Sequence, residues 1–110
     1  MDVTSVMKVT MCKGLPYCDS TISLTKTQFE VFANKWNNST DLGYNRYQAQ
    51  YYVEVYVNNG TKRLFSTSRD QIMEGSTNGW IFSVIDKNYF DSLYRINIGT
   101  LMKRERDNLN

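Results

Sequence analysis

Cys12 and Cys18 are the chain's two thiols, and five residues separate them. Zinc knuckles and dithiol oxidoreductases use C-x2-C pairs, and zinc needs further thiolate or imidazole ligands that this spacing does not accompany. The chain contains no histidine. That removes the commonest general base, the commonest metal ligand and the usual partner of a nucleophilic serine or cysteine. Metal and cofactor sites are therefore not expected. For Cys12 and Cys18 two states stay open, a disulfide closing the loop that holds Gly14 and Pro16, or two inert thiols, with the redox compartment deciding between them.

Carboxylate-pair catalysis would need two acids converging in a cleft, and the eleven acidic residues show no spacing that implies convergence. Walker, GxGxxG and HExxH motifs are missing too. The expectation is a protein that is not an enzyme. Asn37-Asn38-Ser39-Thr40 and Asn59-Gly60-Thr61 contain N-x-S/T triplets, which arise readily by chance in a chain rich in asparagine.

What remains chemically pointed is a run of aromatic and charged side chains, AQYYVEVYVNNGTKRLF, Ala49 to Phe65. Strand periodicity puts Tyr47, Ala49, Tyr51, Val53, Val55 and Val57 on one face, and Arg46, Gln48, Gln50, Tyr52, Glu54 and Tyr56 on the other. Asn59-Gly60 tolerates the positive φ of a tight hairpin. A two-residue loop sets Leu64 opposite Val55, whereas a three-residue loop, Asn58-Asn59-Gly60, sets Phe65 opposite Val53. The second is preferred because a buried Phe removes more apolar area from water. Leu64 then joins the two tyrosines in an amphipathic patch centred on Glu54. Tyr52, Glu54, Tyr56, Arg63 and Leu64 are the candidate interaction residues, and such a face suits a protein or peptide partner.

The elements that must carry this face can be read along the chain. Met7, Val9 and Met11 alternate with polar neighbours, implying a first strand at about Val3 to Met11. After the Gly-Pro loop, TISL leads into a helix whose start is doubly marked. Thr25 and Gln28 form a capping box, and Leu24 with Phe29 a hydrophobic staple. Phe29, Phe32, Ala33 and Trp36 make one apolar stripe, and NNSTDLG ends the helix at Gly43. DQIMEGSTNG reads as an irregular turn. WIFSVI reads as a strand with Trp80, Phe82 and Val84 on one side. Asp86 then caps a short helix, stapled by Ile85 and Phe90, with RINIGTL beyond it as a strand or extended tail.

Hairpin links and a single long helix imply an α+β domain, an antiparallel sheet of four to five strands with that helix packed on one face and a short C-terminal helix. The expected division is one domain over residues 1–100 and a charged tail over 101–110, with KRER at Lys103 to Arg106.

Thirteen basic and eleven acidic residues, a net charge of +2, are spread along the chain, which gives no strong field for polyanions. No apolar run reaches a membrane span, and MDVTSVMKVTMC lacks the basic start and continuous apolar stretch of a retained targeting segment. The expected function is a non-catalytic binding or interaction domain contacting another protein, such as an inhibitor, immunity-type or surface-associated accessory module, with an extracytoplasmic lean. The alternative is a single-stranded nucleic-acid binder stacking bases on Tyr52 and Tyr56 while Arg46, Lys62, Arg63 and the tail follow the backbone. Glu54 between the tyrosines and the near-neutral charge balance oppose it. Oligomeric state is not encoded in any of these features.

Overall fold

Seven strands form one antiparallel sheet in the order β2-β1-β4-β5-β6-β7-β3, accompanied by two helices. The strands are β1 Val6–Lys13, β2 Asp19–Ser23, β3 Thr40–Asn45, β4 Tyr51–Val57, β5 Lys62–Ser68, β6 Gln71–Glu74 and β7 Gly79–Ser83. The helices are α1 Lys26–Asn37 and α2 Tyr89–Asn108. This computed structural model describes residues 1, 3–14, 19–45, 47–75 and 79–108, the side chains of 19, 45 and 104–108 excepted.

α1 begins as its sequence dictates. The Thr25 hydroxyl accepts the Gln28 N–H at 3.2 Å and the Gln28 side chain accepts the Thr25 N–H at 2.9 Å, satisfying two of the donors that a helix start leaves open. At the other end, Asn38 donates to the Asn34 carbonyl through both backbone and side chain, and the Ser39 hydroxyl donates to Trp36 O at 2.7 Å. The buried residues of α1 are Phe29, Phe32 and Ala33, three members of its apolar stripe. Phe32 meets the Phe65 ring of β5 edge-on at 5.7 Å, and Trp36 meets Phe65 and Phe82 edge-on, each at 5.1 Å. Offset and edge-on rings such as these are the favoured aromatic geometry. Phe32 and Phe65 belong to the main core with Val9, Met11, Val53 and Val55, and Trp36 and Phe82 pack against it, partly buried.

The β4–β5 hairpin has Val53 opposite Phe65, Glu54 opposite Leu64 and Tyr56 opposite Lys62. The Val57 N–H donates to Thr61 O at 2.9 Å and Gly60 takes a φ of +86°, which defines the three-residue loop Asn58-Asn59-Gly60 with its left-handed last position.

The sheet exceeds the four or five strands expected because two short polar or interrupted segments also pair into it. TDLGYN, read from sequence as the end of the helix, is the edge strand β3 against β7; its register shifts between Asp41 and Gly43, where Gly43 has a φ of +85°. QIME, read as irregular turn, is β6, joined to β5 by a two-residue turn in which Arg69 adopts a φ of +54°. That turn is held from β7, since Val84 N–H donates to Asp70 O and Ser83 Oγ to the Asp70 carboxylate, both at 2.8 Å. The first strand starts later than expected, after a single 3-10 turn at Val3–Ser5, and Met7 is exposed. β4 also starts late. Tyr47 precedes it, with a hydroxyl that lies 3.0 Å from Ser66 O and 2.9 Å from Gln71 O and shares its one proton between them.

The C-terminal helix is the longer of the two, 20 residues against 12 in α1, and RINIGTL lies inside it. Residues 101–108 complete the same helix. Ile85 does not staple it: that side chain is 75 % exposed, while Asp86 makes the preceding turn by accepting the Asn88 N–H. Phe90, Leu93 and Tyr94 are the buried face of α2, and the rings of Phe90 and Phe32 lie 6.3 Å apart. On β7, Phe82 meets Trp36 whereas Trp80 is half exposed and donates its indole N–H to Asp41 at 2.6 Å.

Candidate functional site

Period-two geometry and the observed register fix which side chains share the second face of the sheet. Tyr52, Glu54 and Tyr56 of β4 lie there, opposite Cys12, Thr10 and Lys8 of β1 and opposite Ser66, Leu64 and Lys62 of β5. Their neighbours Tyr51, Val53 and Val55 turn to the other side and are buried. Four of the five expected interaction residues, Tyr52, Glu54, Tyr56 and Leu64, are thus brought together, each half-buried.

Arg63 is not among them. It stands opposite Val55, on the core side of the sheet, where its Nε and Nη2 each donate to a Glu74 carboxylate oxygen at 2.8 Å and the guanidinium lies 5.2 Å from the Phe65 ring centroid. Adjacent residues of a strand point to opposite faces, so Leu64 and Arg63 could not both join the patch. The paired guanidinium holds the Glu74 carboxyl below its ordinary value, and the carboxylate raises Arg63 in turn.

The centre of the patch is a closed polar network. The Tyr56 hydroxyl donates to Glu54 Oε2 at 2.5 Å, and Lys62 Nζ sits 3.6 Å from Glu54 Oε1. The hydrogen bond to the carboxylate holds the Tyr56 phenol above its usual value. Lys8 and Lys62 place their ammonium groups 5.5 and 5.9 Å from the Tyr56 ring centroid, within cation–π reach. Lys8 was not legible as a site residue, because only the non-local pairing of β1 with β4 brings it to Tyr56. The acid is therefore engaged within the patch, and two cations stand around the tyrosine beside it.

Cys12 is buried on this face opposite Tyr52. Cys18 and Arg46 lie outside the described residues, and so does the expected Cys12–Cys18 pairing. Among the described residues no group of three or more His, Cys, Asp or Glu side chains is placed to hold a metal ion, and no helix there is long and apolar enough to cross a membrane.

Comparison with protein-family models, with curated proteins and with solved structures returned no match to this chain.

Proposed function

We propose that this chain is a non-catalytic binding domain that contacts another protein or peptide through the face of β1, β4 and β5 bearing Tyr52, Glu54, Tyr56 and Leu64. The observation that carries this reading is the engagement of Glu54 by the Tyr56 hydroxyl and Lys62. A free acid at the centre of an apolar contact would have to be desolvated on binding, at a cost that would offset the gain from the aromatic rings. Here the acid already has partners, and the Tyr56 ring is held in one arrangement, which lowers the ordering cost of association. Lys8 adds a cation at the margin, so the fitting partner presents a carboxylate beside apolar groups. A disulfide between Cys12 and Cys18 and an extracytoplasmic site of action belong to the same proposal.

The nucleic-acid alternative is weakened by the placement of its basic residues. Arg63 is committed to Glu74 on the opposite face, which leaves Lys8 and Lys62 as the cations beside the tyrosines among the described residues. Two phosphate contacts supply little non-specific affinity.

Replacing both Tyr52 and Tyr56 by Thr keeps strand propensity and removes both rings. Affinity capture from the native source, with bound protein quantified, should then fall about tenfold or more while the urea midpoint changes little. Undiminished capture by the folded double variant refutes the patch. Strong binding of mixed single-stranded oligonucleotides that collapses with added salt would favour the alternative.

A further inference from the structure

A cleft lies away from this face, where the end of β1, the start of β4 and residues 91–102 of α2 meet. It is open, with a volume of about 820 Å³, within the size range of small-molecule sites. Its walls divide by chemistry. Tyr94, Ile98 and Met102 recur at every fourth position of α2 and so form one helical stripe along the cleft, and Met102 is 56 % exposed. Tyr94 packs against Tyr51 with ring centroids 5.1 Å apart, so the apolar wall is continuous from strand to helix.

The polar groups of the cleft differ in what they have left to offer. The Tyr51 hydroxyl donates to Asp91 and the Tyr94 hydroxyl donates to Ser20 O at 3.1 Å, so both phenol protons are committed. Burial, then the bond to Asp91, raises the Tyr51 phenol well above its ordinary value, which keeps that donor in place at any physiological pH. Lys13 and Arg95 also line the cleft, and among the described residues neither is within ion-pair distance of a carboxylate. Among the described lining residues, two cations stand against one engaged carboxylate beside an apolar wall. Arg offers a planar fork of donors that matches an oxyanion.

We infer that this cleft binds a small amphipathic organic anion, with its acid group facing Lys13 and Arg95 and its aromatic or aliphatic body along Tyr94, Ile98 and Met102. The site is independent of the tyrosine face on the far side of β4, since Tyr51 and Tyr52 point to opposite sides of the strand.

The test uses two fluorescent probes with similar aromatic bodies, 8-anilinonaphthalene-1-sulfonate, which is anionic, and N-phenyl-1-naphthylamine, which is neutral. The anionic probe should bind the full chain with amide shifts at Gly14, Gln50 and Arg95, and Arg95→Gln should weaken it about fivefold while leaving the neutral probe unchanged. Met102→Glu should weaken both. The Tyr52→Thr, Tyr56→Thr variant should bind both probes as the wild type does, which separates this site from the proposed protein contact. No binding of the anionic probe at millimolar concentration, equal affinity in a folded Arg95→Gln chain, or shifts confined to Tyr52–Leu64 would each overturn the inference.

Discussion

Trp36 shows how one side chain ties distant strands together. It stands on α1, yet its indole meets Phe65 of β5 and Phe82 of β7, strands separated by β6 in the sheet order. Removing it would leave a cavity that neither ring can fill by a small shift, because close-packed interiors relax only partly. Trp36→Ala should lower stability by about 3 to 5 kcal/mol in urea unfolding. A loss under about 1 kcal/mol, the range of surface substitutions, would show that the indole is peripheral. The residue scale is also where the sequence reading of the site divides. Tyr52, Glu54, Tyr56 and Leu64 follow from a period of two and a loop length, both local quantities. The charge of Arg63 suggests the patch, but its parity, opposite to that of Leu64, sets it on the core side, and Lys8 carries no local signal because its partner strand is more than forty positions away.

Elements marked by their own cap or turn residues are legible in the sequence, and those without such marks are not. The capping box at Thr25 and the turn at Asn59-Gly60 satisfy their own hydrogen bonds within four residues, so the sequence carries the whole signal. β3 and β6 carry no such signal. β3 contains a glycine at a bulge, and β6 follows a turn, Arg69-Asp70, that lacks the glycine or asparagine expected at positive φ. α2 was cut short because Gly99 interrupts its pattern and Ile96 is exposed, which hides the apolar periodicity. Two glycines test these elements in opposite directions. At Gly60 a Cβ meets open space, so Gly60→Ala costs only the backbone strain of a φ of +86°, about 1 kcal/mol. Gly99 is helical and equally unobstructed, so Gly99→Ala should stabilise by up to about 1 kcal/mol. Shifts of the same sign in the two urea midpoints would contradict the hairpin geometry or the extent of α2.

At the scale of the whole molecule, three phenols at the junctions between elements are displaced in the same direction. Tyr47 anchors the connection from β3 to β4 on the carbonyls of Ser66 and Gln71; burial raises it first, then the neighbouring Tyr52 and Asp70. Tyr51 links β4 to α2 through Asp91, and it too is raised chiefly by burial. Tyr89, at the start of α2 beneath the Lys35 ammonium, is pushed up to about 12 by burial and then by Asp86. Each phenol therefore keeps its proton in the folded chain at a pH where the unfolded chain releases it. The folded state binds more protons above the ordinary value of 10.0, so the stabilisation is complete below that value and declines as pH rises toward the folded values. Stability from urea unfolding should stay level to about pH 10 and then fall with increasing slope, because the slope follows the number of protons the unfolded state has lost and the folded state has kept. Tyr89→Phe removes one of those protons. Its stability should decline less steeply between about pH 10 and 12 than that of the wild type. An unchanged alkaline slope in this variant would mean that the Tyr89 phenol titrates alike in both states, and that the start of α2 is open to water rather than closed over the ring.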